Sequence, residues 1–348
     1  MRIGLYGLPC AGKTTLMDTV KDMKVLSGGD ILHDMSREIF RKEFGELTAD
    51  ERDFLRRKAA SRLMKDDEFI IDGHYAFGTL PVLPDEETIC YDVSLYLYTD
   101  PEVIRERMLS SEKNRKYAGF DIRSWQLTEI EKIRENCHRL HRDFYVISDG
   151  GKMFLPFLRE IKEGFSCLRR GDEIGQDISS LVPERNVTIS DGDKTLSVKD
   201  TEYLFTGEGT KTFDGDFYTG YQTWLHGLER KEFRFDPEAV KLRAGILAPC
   251  RRNGAVITSG PEPVWEALGK MHGFRVYTGN DISADTKYFA ARRLKENGKL
   301  LTAYGDGMSD YYMLKQADMG ILIRNGRVSR SLTDRDLHGL YIYEREED

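Results

Sequence analysis

The residues Gly7-Leu8-Pro9-Cys10-Ala11-Gly12-Lys13-Thr14 constrain this chain more than any other stretch. They complete a Gly-x4-Gly-Lys-Ser/Thr loop directly after the apolar run Ile3-Gly4-Leu5-Tyr6. Such a loop works between a strand and a helix. Its glycines let backbone N–H groups wrap phosphate oxygens, and the helix behind it points its positive dipole end at them. Lys13 is expected to reach the β- and γ-phosphates of ATP, and the Thr14 hydroxyl to hold Mg²⁺. Gly7, Ala11, Gly12 and Thr15 complete the expected phosphate cradle.

The same alternation of strand and helix runs on. Apolar runs at 3–6, 24–26, 69–71, 93–97 and 144–147 alternate with helix-like stretches at 13–22, 31–44, 49–64, 101–109 and 124–140, which predicts a parallel sheet covered on both faces. A helix-like run at 153–165 follows, after which residues 169–177 lose their periodicity and turn polar, so a linker is placed at 167–185. A second α/β pattern passes through 187–189, 255–258, 275–277, 300–304 and 319–323. The aromatic and glycine-rich segment 201–235 interrupts it after its first strand, as a small cap insertion placed at about 198–240. The expected architecture is therefore α/β in two domains, 1–166 and 186–348, each a mainly parallel sheet with helices on both faces. A length of 348 residues suits two cores of ordinary size.

Composition removes several function classes. With 40% hydrophobic and 32% charged residues and no long apolar run, no membrane association is expected. Residues 1–7 lead straight into the loop and leave no room for a signal peptide, which predicts a cytoplasmic protein. The five cysteines (Cys10, Cys90, Cys137, Cys167, Cys250) show no CxxC pair, so reduced thiols are expected rather than a zinc site or disulfide framework. A net charge of -7 weighs against a nucleic-acid partner without removing it, since a local basic groove can sit in an acidic whole.

Three features of the first half point to a kinase acting on a compact acceptor. Gly28-Gly29-Asp30-Ile31-Leu32 puts a carboxylate at a helix start, where Asp30 would bind or deprotonate the acceptor, or simply cap the helix. Ile70-Ile71-Asp72-Gly73-His74 ends an apolar run with an acid; Asp72 would hold a Mg²⁺-bound water or the acceptor, and His74 would touch substrate or serve structure. Arg105, Arg107, Lys113, Arg115, Lys116 and Arg123 flank a break between two helices, either as a lid closing on phosphates or as a solvated face. From this cluster Arg105 and Arg115 are assigned to ATP and Arg123 to substrate. The loop, Gly29-Asp30-Ile31-Leu32, the run Ile71-Asp72-Gly73-His74-Tyr75-Ala76-Phe77 with its following prolines, and Arg105-Glu106-Arg107 together resemble the adenylate-kinase-like P-loop kinases, especially archaeal-type nucleotide kinases. The resemblance covers most of residues 1–150 and implies ATP as donor. His33 and Asp34 stand where that fold often carries an arginine, which leaves the acceptor open.

In the second half, Asp191-Gly192-Asp193-Lys194-Thr195 follows a strand in an Asp-x-Asp-x-Thr arrangement. Ile257-Thr258-Ser259-Gly260 ends another strand with a hydroxyl, Lys287 precedes a helix, and Gly305-Asp306-Gly307-Met308-Ser309-Asp310 ends a third with two acids. In type and order these resemble the haloacid-dehalogenase-like (HAD) hydrolases, whose core is Rossmann-like. That resemblance implies Asp191 as the nucleophile forming an aspartyl-phosphate and Asp193 as general acid and then base. Ser259 and Lys287 would hold the phosphoryl oxygens, with Thr258 and Gly260 beside them, and Asp191, Asp193, Asp306 and Asp310 would form the Mg²⁺ set. Phe217, Tyr218, Tyr221 and Trp224 of the insertion would read the leaving group or form its own core.

Three functions fit this sequence. One is an ATP-dependent kinase of small molecules or nucleotides joined to a phosphomonoesterase. Another is an end-healing enzyme, since the domain order resembles polynucleotide kinase/3′-phosphatase. The third is a nucleotide-sensing regulatory protein with retired sites, which the presence of Lys13, Asp191 and Asp306 opposes. Oligomeric state is not legible in the sequence.

Overall fold

Strands buried on both faces read as unbroken apolar runs, and each run picked out above overlaps a strand. The computed structural model describes residues 1–74, 76–77, 80–81, 91–208, 217–324, 329, 332–333 and 335–344. Tyr75, Cys90 and residues 209–216 of the insertion lie outside them. The chain divides into two compact units, Met1–Phe165 and Ser166–Asp348.

The first unit contains β1 (Arg2–Tyr6), β2 (Val25–Ser27), β3 (Phe69–Asp72), a short antiparallel pair β4 (Ala76–Phe77) and β5 (Leu80–Pro81), then β6 (Val93–Leu97) and β7 (Asp143–Ile147). Five of these form a parallel sheet in the order β2-β3-β1-β6-β7. The chain fills one side of β1 and then crosses to the other, so the topological switch falls at the carboxyl end of β1, where the glycine loop begins. The helix after the loop is only Lys13–Met17, shorter than the periodic stretch 13–22. The next begins at Gly28 rather than 31, because Ser27 caps it by accepting the Asp30 N–H.

The second unit contains β8 (Asn186–Ser190), β9 (Gly254–Ile257), β10 (Arg275–Tyr277), β11 (Leu300–Gly305), β12 (Met319–Arg324) and β13 (Tyr341–Glu344). They form one parallel sheet in the order β10-β9-β8-β11-β12-β13. Here the switch lies between β8 and β11, where Ser190 pairs with Tyr304, so Asp191 and Asp306 leave the sheet side by side. The edge strand β13 gave no sequence signal because it is exposed along its whole length and shows no buried pattern. Among the described residues no helix is long and apolar enough to cross a membrane.

The segment 167–185, expected to be a linker, is corrected by the structure. Cys167–Leu181 is a helix of the second unit, capped by Ser166 and burying Cys167, Gly171, Ile174, Gly175 and Ile178. Its glycines mark close approach to the helix Ala284–Glu296, not a turn. A Cβ on Gly171 would lie 2.5 Å from the Thr286 carbonyl oxygen and 2.6 Å from the Phe289 Cβ, and one on Gly175 would lie 2.7 Å from the Ala290 carbonyl oxygen. The insertion carries the helices Thr201–Thr206 and Gly220–Glu229, and a Ser197–Leu242 bridge joins the chain on either side of it. Phe217, Tyr221 and Trp224 are buried, which favours the core reading of those aromatics, whereas Tyr218 lines a cavity.

Because the atoms facing Gly171 are helix backbone and the Phe289 Cβ, none of them the free end of a flexible side chain, Gly171→Ala is expected to destabilise the second unit by about 1–3 kcal/mol in urea unfolding. Gly245→Ala, in a helix with open space around it, should change stability by less than ~1 kcal/mol. Equal midpoints for the two variants would refute the close-packing account.

Candidate active sites

In the first unit, Gly12 is left-handed with φ 105° at the start of the helix Lys13–Met17. Gly7 has φ 149°, and a Cβ there would lie 2.9 Å from the Leu97 carbonyl oxygen of β6. Lys13 is buried and its ammonium donates to the carbonyls of Gly7 (2.6 Å) and Leu8 (3.2 Å). Burial lowers the Lys13 pKa to about 8, against the pull of Asp72. His74 Nδ1 lies 3.0 Å from the Gly7 carbonyl oxygen, which places a ring proton on that nitrogen. Burial, and then Lys13, lower its pKa to about 3, so the imidazole is neutral. Side chains also hold the rest of the loop: the Thr99 hydroxyl donates to the Ala11 carbonyl (2.8 Å), and Asn114 Nδ2 donates to Cys10 Sγ (3.3 Å). The loop carbonyls are thus engaged by Lys13 and Thr99, and the Ala11 N–H bonds the Leu8 carbonyl (3.2 Å). Thr14 and Thr15 are exposed at the start of the helix.

The structure redistributes the expected roles around this loop. Asp30 is exposed in the first turn of Gly28–Phe40, and the cap considered for it is Ser27. Asp72 accepts the Gly28 N–H at 3.2 Å, so it ties β3 to the start of that helix as well as facing Lys13 with its charge. Arg105 pairs with Glu102 at 3.8 Å and Arg115 donates to the Leu109 carbonyl at 3.0 Å, while Arg123 is exposed at the start of Ile122–Leu140. The arginine that does reach the loop is Arg107, whose guanidinium donates to Cys10 (3.2 Å) and Ala11 (3.4 Å) carbonyls. Sequence reading had it within the basic cluster but not singled out. Arg107 sits one helical turn before the break at Ser111, and that position was the available signal.

In the second unit, Lys287 Nζ lies 2.6 Å from Asp191 Oδ1 and 2.7 Å from Asp310 Oδ1, with Lys287 and Asp310 fully buried. Lys287 stands in the first turn of Ala284–Glu296 rather than before it. A cation there opposes the helix dipole, and two carboxylates compensate. Burial disfavours its charge, but Asp191 and Asp310 outweigh that and raise the Lys287 pKa. Burial, and then Asp310, push the Asp191 carboxyl upward, with Lys287 opposing. Asp310 also accepts the N–H groups of Asp306 (3.1 Å) and Gly307 (3.2 Å). One carboxylate oxygen each from Asp191, Asp306 and Asp310 lies within 4.8 Å of the others. Three clustered oxygens suit a hard divalent cation such as Mg²⁺.

Asp193, expected in that metal set, is not part of it. Its carboxylate turns to the insertion and accepts the Thr201 N–H at 2.8 Å. Burial, and then Asp200, push its pKa up to about 7. Thr258 is buried with its hydroxyl accepting the Gly260 N–H (3.0 Å), and the Ser259 carbonyl accepts from Arg230 (2.9 Å). Asp191, Asp193, Thr258, Ser259, Gly260 and Asp306 line one cavity of about 340 Å³. Glu202, His226 and Arg230 of the insertion line it too, and sequence reading did not find them. Their only signal was the helical spacing of four residues between His226 and Arg230.

Comparison with known proteins fits the first unit. A family model described as an AAA domain matches residues 6–125. An adenylate kinase from Pyrobaculum aerophilum is 33% identical over 127 residues, which cover 31% of this chain and 62% of that protein. The chain thus spans less than two thirds of the length of this curated relative. A shikimate kinase from Acinetobacter baumannii, solved with shikimate, aligns at 20% identity with a TM-score of 0.33, covering 47% of this chain and 93% of its own. One from Bacteroides thetaiotaomicron aligns at 20% identity and a TM-score of 0.29, covering 43% of this chain and 87% of its own. With the loop geometry and sheet order above, the first unit is a P-loop kinase-like domain.

Removing Lys287 would leave two buried carboxylates facing each other. Lys287→Met is therefore expected to destabilise the second unit by about 3–5 kcal/mol in denaturant unfolding with chelator present. Replacing both carboxylates as well (Asp191→Asn, Asp310→Asn) should recover part of that loss. No destabilisation in the single variant would show that the ion triad is not what holds this end of the sheet.

Proposed function

We propose that the chain is a two-headed phosphoryl-transfer enzyme. Met1–Phe165 passes the γ-phosphoryl group of ATP to a small-molecule or nucleotide acceptor, and Ser166–Asp348 hydrolyses phosphomonoesters through an aspartyl-phosphate. The observation that carries this reading is that Asp191, Asp193 and Asp306 line one small cavity while buried Lys287 and Asp310 back Asp191. For the first unit, the support is Lys13 in its loop and the likeness to an adenylate kinase, which favours a nucleotide acceptor.

In the kinase half, Lys13 and Arg107 contribute positive charge beside the phosphates, and the loop N–H groups orient them. Thr14 would hold Mg²⁺ there. In the phosphatase half, Asp191 Oδ attacks phosphorus and the ester P–O bond breaks. Asp193 gives its proton to the departing alcohol oxygen. Asp193 then takes a proton from water, whose oxygen attacks phosphorus and releases Asp191 and inorganic phosphate. A pKa near 7 suits a group that must give and take a proton at neutral pH. Lys287 opposes the upward push of burial and Asp310 on the Asp191 carboxyl and aims its Oδ1. Asp191, Asp306 and Asp310 would hold Mg²⁺, which supplies charge neutralisation between an anionic nucleophile and an anionic ester.

Incubation of labelled ATP with nucleosides, nucleoside monophosphates and 5′-hydroxyl oligonucleotides tests the kinase reading, with label expected in a small acceptor. Label in oligonucleotides alone would point instead to end healing. Lys13→Ala should cut this labelling by at least ~10²-fold while nitrophenyl phosphate hydrolysis persists, and Asp191→Asn should do the reverse. Loss of both activities in either variant contradicts two independent heads. Asp193→Asn should slow alkyl phosphate hydrolysis by about 10²–10⁴-fold and nitrophenyl phosphate far less, because nitrophenolate leaves without a proton. Equal losses would remove Asp193 from the acid role.

A further inference from the structure

The insertion beside the Asp191 cavity contributes side chains that the reaction proposed above does not use. Beyond the acid floor, the cavity rim is built from Lys194, Asp200, Glu202, His226 and Arg230, with Tyr218 beside them. Each cation already faces an acid. Lys194 Nζ lies 3.6 Å from Asp200 Oδ2, Arg230 lies 3.7 Å from Glu202 Oε2, and His226 Nε2 lies 3.1 Å from that same oxygen. Glu202 and Arg230 are mostly buried, with side chains 17% and 16% exposed, so these are built contacts rather than loose surface pairs.

Charge and lining together narrow what can sit there. The lysine and arginine of the rim, Lys194 and Arg230, face the two carboxylates Asp200 and Glu202, two cations against two anions. A second phosphate or carboxylate on the leaving group would need a surplus cation, and without one its desolvation goes uncompensated. A flat apolar group would need a broad apolar wall, and among the described lining residues Tyr218 is the one large hydrophobic side chain. The rim instead alternates donors with acceptors: guanidinium, ammonium and imidazole N–H groups next to carboxylate oxygens. A hydroxyl both donates and accepts, so neighbouring hydroxyls match this alternation. The volume of about 340 Å³, roughly ten waters at ~30 Å³ each, accommodates a phosphoryl group and a leaving group of sugar size but no long chain.

Resting on the phosphatase reading of Ser166–Asp348, we infer that the leaving group is a compact hydroxyl-rich alcohol, a sugar or polyol. Glu202, oriented by His226 and Arg230, is the specificity-determining residue that accepts from its hydroxyls. Arg230 reaches from Glu202 to the Ser259 carbonyl, which ties the residue reading the alcohol to the loop beside the phosphoryl group.

The test uses the full chain with Mg²⁺ and compares sorbitol 6-phosphate and ribose 5-phosphate with n-hexyl and phenyl phosphate. The hydroxylated esters are expected to lead by at least ~30-fold in kcat/KM, and Glu202→Gln to shrink that ratio to under ~5-fold, mainly through KM. His226→Asn should shift the ratio in the same direction, and it decides the matter if Glu202→Gln fails to fold by circular dichroism. Calorimetric binding of sorbitol 6-phosphate to the Asp191→Asn protein, which cannot turn it over, should weaken about 10-fold when Glu202→Gln is added. Equal rates for both ester classes, or a preference that survives both substitutions, overturns the inference. If no ester of either class is hydrolysed, the phosphatase reading itself fails. The binding comparison then still decides whether this rim recognises hydroxyls.

Discussion

The interaction on which the second unit depends is the ammonium of Lys287 held between Asp191 and Asp310. An ammonium and two carboxyl groups out of water are tolerable only if their geometry is fixed, because a small displacement leaves a polar or charged group unpaired in a medium that cannot solvate it. Much of the surrounding architecture supplies that fixity. Parallel pairing of β8 with β11 sets Asp191 next to the loop that carries Asp306. The Asp191 N–H bonds the Tyr304 carbonyl. The Asp306 and Gly307 N–H groups in turn hold Asp310. Lys287 is aimed by its helix, and that helix is seated by the glycine face of Cys167–Leu181.

This dependence explains which parts of the fold could be read from the sequence. The inner strand β6 and the edge strand β7 are both buried along their whole length, and the runs 93–97, broken only by Ser94, and 144–147 announce them. Asp72, Asp191, Asp306 and Thr258 were legible as site residues because each follows such a run, and strand ends are where an open parallel sheet binds its ligands. The helix Cys167–Leu181 was misread because Gly171 and Gly175 are both turn-forming residues and the smallest contact surfaces. Only the position of Thr286 and Ala290 across the interface tells the two uses apart. Asp193 was misassigned for a related reason, since the Thr201 N–H that claims its carboxylate comes from the insertion. Arg107, Glu202 and Arg230 acquire meaning through contacts with residues 29 to 97 positions away, or through a pair formed within the insertion, and no local pattern marks them.

The two sites use a buried lysine in opposite ways. Lys287 meets two carboxylates, so its charge is matched before any substrate arrives, and burial strengthens the match. Lys13 meets the Gly7 and Leu8 carbonyl dipoles, with Asp72 contributing only through space, and its pKa falls to about 8. A lysine solvated by dipoles alone retains an unmatched charge, and an incoming phosphate can match it. The depressed pKa of Lys13 expresses the cost of burying an ammonium that no carboxylate contacts, just as the raised pKa of Lys287 expresses the attraction of Asp191 and Asp310. One residue type therefore serves as a receptor for charge in the first unit and as a fastener of charge in the second. The difference is set by whether the chain places oxygen dipoles or carboxylates around the ammonium.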